Sequence, residues 1–305
     1  MKIYIGKQEI KYTRLTWSGS KYSAARQLEF SIPSNFLYSI SQGNTLLLKE
    51  GDTTLFEGFV FRKEKSRQSN EVAILGYDSL IYLLKSDGSF NFKTSTFSTV
   101  VRKSCGDVGV PVGSIADGNA SIKLEPMINV NLYQIIISAC KEVKKKTGKV
   151  YQPVIQKGKL NIVIAGSIIK NFELAEGRNL TDSTFSETIE NVVNKVIIVD
   201  DKGKKIGQVT GDGLSTWGTF QQVYEKEKGK NSTTEAKAML HGLDREANVE
   251  GLGNVSCISG RAITIKDTKT GLKGIFYIEE DTHTVENGNY TMSLQLNFKN
   301  ILEES

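Results

Sequence analysis

The residue types best suited to acid, base or nucleophilic chemistry are few in this sequence. The only histidines are His241 and His283, and the three cysteines, Cys105, Cys140 and Cys257, lie far apart. A cysteine hydrolase would bring Cys140 or Cys257 to one of these histidines, with a third group to orient the imidazole. Cys140 falls on the apolar face of a predicted helix and Cys257 in a predicted strand, which favours buried thiols that act as small hydrophobic groups.

One short run of residues has the composition of a metal site. Glu279-Glu280-Asp281-Thr282-His283 gathers carboxylates beside an imidazole. Asn287-Gly288 follows it and predicts the two-residue turn of a hairpin, in which His283 pairs with Met292 and Asp281 with Leu294. His283 then lies on a face with apolar neighbours, which favours a hydrogen-bonded structural histidine over a metal ligand. The other residues that this register places on that face are Tyr290, Leu296 and Phe298.

Other chemical signatures give weaker signals. The sequence has neither the Gly-x-Ser-x-Gly turn of a serine hydrolase nor a phosphate-binding loop ending in Gly-Lys-Ser/Thr. The lysines at 141, 144, 145, 146 and 149 could form a nucleic-acid patch, but helical spacing places most of them opposite an apolar stripe. We therefore expect a solvated helix face with no specific nucleic-acid binding. A pair of carboxylates for glycoside hydrolysis stays open, since no spacing selects one.

Length and composition set the class of protein. The chain has 305 residues with 39 Lys plus Arg against 34 Asp plus Glu, a formal charge of +5, and 39% hydrophobic residues. These values are typical of a folded chain of about two domains, mildly basic, with its cysteines reduced. No run approaches the roughly 20 apolar residues of a membrane span, and the first residues lack the apolar core of a signal peptide. We expect that the protein is synthesised in the cytoplasm and is not inserted into a membrane.

Hydrophobic periodicity predicts an α+β protein that is mainly β. Six short strands are expected between positions 1 and 85, which is typical of a small closed or nearly closed barrel, followed by a helix at 78–84. The predicted strands are residues 3–5, 14–17, 27–32, 45–48, 54–61 and 71–75.

Residues 86–176 are predicted to form an α+β middle domain. Asn131 and Gln134 form a cap pair at the start of a helix that ends before Gly148. A weaker helix is expected at 96–108, and strands at 150–155 and 159–165 form a hairpin through Lys157-Gly158.

Residues 177–305 are predicted to return to strands and to form a second barrel. The expected strands are residues 192–200, 204–210, 216–224, 254–259, 262–266 and 274–280, followed by the hairpin at Asn287-Gly288. A helical insertion is expected at about 232–249, opened by Ser232 with Glu235 three residues later. Its apolar face would carry Ala236, Met239, Leu240, Leu243 and Ala247.

Several patches follow one another in a specific order over nearly the whole chain. They are Trp17-Ser18-Gly19 with Ala25-Arg26-Gln27-Leu28-Glu29-Phe30; Gly43 with Leu55-Phe56-Glu57-Gly58-Phe59-Val60; Tyr77-Asp78-Ser79-Leu80 with Tyr82-Leu83; Thr147-Gly148-Lys149 with Tyr151 and Gly158-Lys159-Leu160; Glu190-Asn191-Val192-Val193-Asn194-Lys195-Val196; and Thr270-Gly271-Leu272-Lys273-Gly274-Ile275-Phe276-Tyr277-Ile278 with Thr282-His283-Thr284, Asn287-Gly288 and Met292-Ser293-Leu294. Together these patches resemble the XkdQ/YqbQ-like family of phage and prophage tail proteins, which is similar in fold to baseplate hub proteins, the late-control protein D group and the hub part of VgrG.

This resemblance implies a mechanical role. Members of the hub group form trimers that join a sixfold tail tube to a threefold spike around a central channel, and two similar barrels per chain give six barrel positions. The resemblance thus implies a homotrimer that contacts the tail tube protein, the central spike protein and baseplate wedge proteins, with a LysM-type tail protein and a tape-measure protein as further partners. Such a chain is a virion structural protein of a phage, a prophage, an R-type bacteriocin or a related contractile injection system, released by lysis of the bacterium.

On this interpretation the chain is not an enzyme, and we expect no catalytic, cofactor-binding or metal-binding residues and no cofactor. Two alternatives belong to other classes. One is a tail-associated peptidoglycan hydrolase that uses Cys140 or Cys257 with His241 or His283, or a carboxylate pair. The other is a glycan-binding module in which Trp17, Trp217 and tyrosines provide stacking surfaces.

Overall fold

The computed structural model describes residues 1–21, 25–35 and 38–298. Residues 299–305, the end of the predicted third domain, lie outside the described residues. The chain is mainly β, as the sequence predicts, with 52% of residues in strands and 13% in helices. No helix in the described part of the chain is long and apolar enough to cross a membrane.

The strands predicted between positions 1 and 85 are all present, with one more between the first two. Short alternating segments separated by turns account for them, since every second side chain is buried. The elements are β1 (Lys2–Ile5), β2 (Gln8–Ile10), β3 (Arg14–Ser20), β4 (Gln27–Pro33), β5 (Thr45–Glu50), β6 (Thr53–Lys65), β7 (Glu71–Asp78) and α1 (Leu80–Lys85). The first helix therefore begins two residues later than predicted.

The next part of the chain contains the two helices predicted there. The predicted hairpin follows the second of these helices. The elements are β8 (Asp87–Phe90), β9 (Ser95–Thr96), α2 (Phe97–Gly106), β10 (Val112–Ile115), β11 (Ser121–Ile122), β12 (Met127–Asn131), α3 (Leu132–Thr147), β13 (Tyr151–Gln156) and β14 (Lys159–Ile164).

The last part is again rich in strands. The elements are β15 (Ser167–Ala175), β16 (Leu180–Thr188), β17 (Lys195–Val199), β18 (Lys205–Thr210), β19 (Gln221–Glu225), α4 (Ser232–Ala238), β20 (Asp244–Leu252), β21 (Arg261–Lys266), β22 (Lys273–Glu286) and β23 (Asn289–Asn297).

Helix α3 confirms the predicted boundaries because both caps form. The Asn131 side chain accepts a hydrogen bond from the backbone N–H of Gln134, and Gly148 is left-handed at φ +70°. Helix α2 is capped in the same way by Thr96, whose hydroxyl accepts from the N–H of Thr99. The apolar faces of both helices are buried, and with Leu80, Leu83 and the hairpin β13–β14 they form one hydrophobic cluster.

The last hairpin has the predicted register. Asn287 and Gly288 both have positive φ, 50° and 79°, as the tight turn requires. His283 pairs with Met292 and Asp281 with Leu294. On β23, Met292, Leu294 and Leu296 are buried, so the predicted apolar face is confirmed.

The N-terminal and C-terminal strands meet in one sheet. Strand β22 pairs antiparallel with β3, which places His283 opposite Trp17 and Asp281 opposite Gly19. The order from this junction is β22-β3-β4-β7-β6-β5-β1-β2 on one side, β23 lies on the other side of β22, and β21 pairs with the first residues of β22, 273–277. Trp17 and Phe30 are each 2% exposed and belong to the core under the N-terminal strands, as predicted.

The helical insertion predicted at 232–249 is wrong in its extent and in its cap. The expected helix at 232–249 ends at Ala238, and residues 244–252 form strand β20. In β20, Ala247, Val249 and Gly251 are buried and alternate with exposed residues, a period of two that long-range pairing stabilises. The helix cap is Asn231 instead of Ser232, because the Asn231 side chain accepts from the N–H groups of Thr233 and Thr234.

The segment 254–259 is not a strand. Asn254 forms turns instead, since its side chain accepts from the N–H of Ser256 and its carbonyl from that of Cys257. Residues 216–220 of the strand predicted at 216–224 are likewise not strand, and the Trp217 N–H donates to the Gly213 carbonyl there.

The chain divides into two compact units. The larger comprises residues 1–183 and 248–305, and the smaller residues 184–247. The chain leaves the larger unit within β16 and returns within β20. The three predicted domains and their two closed barrels stay a prediction, since the hydrogen-bonded path through the described strands does not close on itself.

Candidate functional site

A buried ion pair lies where the two groups of strands meet. Arg26, just before β4, holds Asp281 of β22 with both terminal nitrogens: Nη1 donates to Oδ1 at 3.0 Å and Nη2 to Oδ2. The Asp281 side chain is fully buried, and that of Arg26 is 18% exposed. This two-point geometry is the strongest form of carboxylate binding by arginine, and it fixes the relative position of β4 and β22.

The charge on Asp281 is compensated from two directions. Its Oδ1 also accepts from the backbone N–H of Ser259, at 2.6 Å. Burial by itself raises the pKa of this carboxyl, but the Arg26 charge and the hydrogen bonds from His283 and Arg26 outweigh burial and lower it to about 2. Asp281 is therefore a carboxylate at neutral pH, and breaking the pair would leave a buried charge without its partner.

The guanidinium fits because β3 carries a glycine at this point. Gly19 lies directly opposite Asp281, and a Cβ at Gly19 would be 2.2 Å from Arg26 Nη1. The Arg26 Cζ also lies 4.3 Å from the ring centroid of Trp17, two residues earlier on the same strand. The Trp17-Ser18-Gly19 patch thus supplies an aromatic face and an open space for one arginine.

His283 occupies the same buried cluster. Its Nε2 donates to the Cys257 carbonyl at 2.9 Å, because a carbonyl oxygen only accepts, and lies 3.4 Å from Asp281 Oδ2, while its Nδ1 lies 2.8 Å from the Tyr290 hydroxyl. The Trp17 ring lies 4.9 Å from the imidazole, centroid to centroid. The side chain has no exposed surface. The predicted hydrogen-bonded structural histidine is confirmed.

The other carboxylates of the run 279–283 are engaged by donors from the protein. Glu279 forms an ion pair with Lys21 and accepts from Asn297 Nδ2 at 2.7 Å. Glu280 accepts from the Ser20 hydroxyl at 2.8 Å. Among the described residues, no group of three or more His, Cys, Asp and Glu side chains is arranged to hold a metal ion.

All three cysteines are buried, including Cys140 and Cys257, which were considered as nucleophiles. Burial raises the pKa of the Cys105, Cys140 and Cys257 thiols to about 12. A cysteine nucleophile needs the opposite shift, because the thiolate is the reactive form. Cys257 meets His283 through its backbone carbonyl, and its thiol takes no part in that contact.

The remaining histidine, His241, belongs to the smaller unit. Its side chain is 52% exposed and its Nε2 lies 2.6 Å from Asp244 Oδ1. The hydrogen bond from Asn191 and, to a lesser extent, the one from His241 lower the pKa of Asp244. This is an exposed histidine–carboxylate contact near a backbone bridge between His241 and Val193.

A cleft of about 350 Å³ borders the ion pair in the larger unit, lined among others by Trp17, Arg26, Asp78 and residues 152–156 of β13. The Asp78 carboxylate accepts from the N–H groups of Leu80, at 3.0 Å, and Arg26, at 3.2 Å. Burial dominates at this carboxyl and raises its pKa to about 7. Within the described residues, Trp17 Nε1 and Arg26 Nε are buried without a hydrogen-bond acceptor, so the cleft offers donors to a small polar group.

The tryptophans considered for glycan binding and the lysines considered for nucleic-acid binding make contacts within the protein. Trp17 is in the core and cannot present its ring to a sugar, and Trp217 is half-buried over Gly213, where a Cβ would be 2.0 Å from the ring. Lys145 on α3 pairs with Glu142 at 2.6 Å, and Lys149, just after the end of α3, pairs with Asp117 at 3.0 Å. The predicted solvated lysine face is confirmed.

The sequence did not predict the contacts that Arg26, Asp78 and Asp281 make with one another. All three lie within or beside the patches that carry the family resemblance, but their partners are more than 50 positions away. A glycine inside a strand, as at Gly19, signals a close approach by another group, and this is the local signal that points to the arginine site.

The fold defined by these elements is that of phage tail proteins. It is similar to the 43 kDa tail protein of prophage MuSo2 from Shewanella oneidensis, with a TM-score of 0.73, 13% identity, and coverage of 97% of this chain and 96% of that one. It is also similar to the E. coli c3393 protein, a type VI secretion component described as structurally similar to the bacteriophage T4 tail proteins gp27 and gp5. That match has a TM-score of 0.59, 9% identity, and coverage of 99% and 78%.

The sequence relatives identify the family. The chain belongs to the YQBQ-like family, whose model matches residues 15–297. It is 26% identical to the phage-like element PBSX protein XkdQ of Bacillus subtilis strain 168, over 97% of this chain and 95% of that protein. The resemblance inferred from the ordered patches is therefore confirmed.

Proposed function

We propose that this chain is a structural hub of the baseplate in a contractile or related phage-like tail. Three copies join the sixfold tail tube to the threefold spike around a central channel, and the particle is released from its bacterium by lysis. The partners are the tail tube, central spike and baseplate wedge proteins, with a LysM-type tail protein and a tape-measure protein at further contacts. The protein acts by position and not by catalysis.

Family and fold support the tail assignment. A sequence relative that aligns over nearly its whole length is named for a phage-like element, and a solved structure of the same fold is a prophage tail protein. A third protein of this fold is described through its likeness to gp27 and gp5 of bacteriophage T4. Each of these matches extends over at least 97% of the chain, so the likeness involves more than one module.

The observation that carries the hub role is the pairing of β3 with β22. It makes the N-terminal strands and the C-terminal strands neighbours in one protomer, although they are far apart in sequence. A protein that meets a sixfold ring with three copies needs two comparable surfaces in each copy. Two adjacent strand groups provide such surfaces, and we assign residues 1–85 and 177–305 to them, with residues 86–176 as the middle domain.

A buried polar cluster held by groups of the protein suits this mechanical role. Asp281 and His283 are completely buried, and the partners of both are groups of the protein. Catalytic groups need access to a substrate and a pKa near the working pH. The three buried thiols, with pKa values of about 12, also argue against a cysteine peptidoglycan hydrolase.

Electron microscopy of the purified chain, alone and mixed with tail-tube and spike proteins, tests the proposal. We expect a threefold ring with a central pore, and a mass of three chains by light scattering. A monomer in every mixture would contradict the hub role. Cell-wall hydrolysis lost in Cys257→Ala or His283→Ala variants that remain folded would contradict the non-catalytic role.

A further inference from the structure

The smaller unit contains a three-stranded sheet that is covered on one face. The strand order is β18-β17-β19, so β17 is central and the other two strands are edges. Helix α4 packs against one face, where Val196, Ile198, Val209 and Tyr224 are buried with Ala236. This face forms the core of the smaller unit.

The opposite face carries apolar side chains that contact solvent. Val223 of β19 is 55% exposed and pairs directly with Ile197 of β17, so both project from the face away from α4. Ile206, at an irregularity in β18, is 49% exposed. A three-stranded sheet with only one buried face leaves the apolar side chains of its other face in contact with solvent. An exposed apolar patch of this kind marks a contact surface.

The two edge strands match each other in direction and register. Strand β18 is antiparallel to β17 and β19 is parallel to it, so the two edges run in opposite directions. Both align with the same five residues of β17: Lys195 is opposite Thr210 and Gln221, and Val199 is opposite Lys205 and Glu225. If β19 of one sheet paired with β18 of another sheet in this register, Gln221 would face Thr210, Val223 would face Gln208, and Glu225 would face Lys205.

The charges at the ends of the two edges complement each other. Strand β18 begins with Lys205, preceded by Lys204, and β19 ends with Glu225. In the continued sheet these opposite charges would be adjacent, which stabilises an antiparallel pair. If the two strands paired in parallel instead, the charges would lie at opposite ends. The complementary surface to each edge is thus present on the same chain, which selects a second copy as the occupant.

We propose that the sheet of the smaller unit joins the same sheet of a second copy, β19 of one chain pairing antiparallel with β18 of the next. The contact is a head-to-tail β-strand addition that leaves neither edge free when the copies close into a ring. It brings the apolar faces of neighbouring sheets into one continuous surface. The inference rests on the proposed trimer for the number of copies, but the contact itself is defined by the strands.

A cysteine pair tests this contact directly. In the double variant Gln208→Cys with Val223→Cys, we expect mild oxidation to join copies into covalent oligomers. A disulfide within one chain is excluded, since both residues flank β17 and lie two strand spacings apart, roughly 9 to 10 Å, beyond the reach of a disulfide. The native thiols are buried and add no background. The matched control is Gln208→Cys with Thr234→Cys, which moves one cysteine to an exposed site on α4.

Charge reversal gives a second measurement. Either Lys205→Glu or Glu225→Lys should weaken association by about twofold to fivefold, and the two together should restore it. Circular dichroism and the midpoint of thermal unfolding verify that each variant is folded. Restoration in the double variant distinguishes an opposed pair from a general effect of net charge.

The outcomes separate this inference from the hub role. A trimer by light scattering without cross-linked copies, with and without tube and spike proteins present, overturns the strand contact and leaves the hub proposal standing. A cross-link formed to a tube or spike protein instead of to a second copy also overturns it. Cross-linked copies whose yield falls in the charge-reversed single variants and recovers in the double variant support it.

Discussion

Arg26 and Asp281 are 255 positions apart in the sequence, yet they form a two-point ion pair inside the fold, with Nη1 and Oδ1 3.0 Å apart. Asp281 lies on β22 opposite Gly19 of β3, so the pair spans the junction where the N-terminal and C-terminal strands meet. The junction is therefore held by a charge pair in addition to its backbone hydrogen bonds. The first two predictions concern this pair.

Asp281→Asn should destabilise the protein severely. The substitution leaves the Arg26 guanidinium largely buried without its counter-charge, a change that typically costs about 3 to 5 kcal/mol. The free energy of unfolding from urea titration measures it. The matched control is Arg178→Ala, which breaks the exposed pair with Glu173 and should cost less than about 1 kcal/mol. Equal losses in the two variants would refute a special role for the junction.

Gly19→Ala should weaken the same pair from the other side. The added methyl group would meet Arg26 Nη1 and move the guanidinium away from Asp281. Combined with Asp281→Asn, its cost should therefore be less than additive in a double-mutant cycle. Gly106→Ala is the control, since that Cβ meets nothing within 4 Å at the end of α2, and it should be neutral or stabilising by up to about 1 kcal/mol. Additive costs would show that Gly19 acts independently of the ion pair.

Asp78 should make stability fall as pH rises from about 4 to 7. Burial raises its pKa from 3.8 to about 7, so in this range the folded state holds a proton that the unfolded state has lost. Its contribution is complete below pH 4 and declines by up to about 1.4 kcal/mol per pH unit until the folded group ionises near pH 7. Asp281, with a pKa of about 2, titrates outside this window.

Urea titrations at several pH values between 4 and 8 measure this slope. Asp78→Asn should flatten it, whatever that variant does to stability at a single pH. A Gln156→Asn variant, altered at an uncharged side chain that lines the same cleft, is the control and should keep the wild-type slope. An unchanged slope in Asp78→Asn would rule out this carboxyl as the source.

The three cysteines should resist modification in the folded protein. Cys105, Cys140 and Cys257 are buried, and desolvation raises their pKa values to about 12, so little thiolate is present at pH 8. Ellman's reagent should detect three thiols in denaturant and almost none without it. A Thr234→Cys variant, with one thiol on the exposed side of α4, is the positive control. Rapid reaction of a native thiol would disprove the assigned burial.

Local signals predicted the elements whose stabilising contacts are close in sequence. The caps at Asn131 and Gly148 define helix α3, and the turn at Asn287-Gly288 sets the register that places Asp281 opposite Leu294. In both cases the decisive interactions lie within one helix or one hairpin. Sequence alone was sufficient there because capping and turn geometry depend on particular residue types.

The features that the sequence did not predict depend on pairing between strands that are far apart in the chain. Ala247 lies on a helical stripe with residues 236–243, but it also alternates with Val249 and Gly251, and pairing with distant strands selected the strand. The contact between Arg26 and Asp281 depends on the β3–β22 pairing, which no local pattern predicts. Charged residues inside a fold are the least visible from sequence, since most charged side chains are exposed.

The β3–β22 pairing also affects how the chain is made. During synthesis from the N-terminus, β3 emerges long before its partner strand β22, because most of the chain lies between them. Until then, one side of β3 presents unpaired N–H and C=O groups to other chains, and closing the sheet requires a contact of very high sequence separation. A chain released early by the ribosome would keep this open edge and lack Asp281. The sheet around β3 is therefore complete only in a chain that has been translated as far as β22.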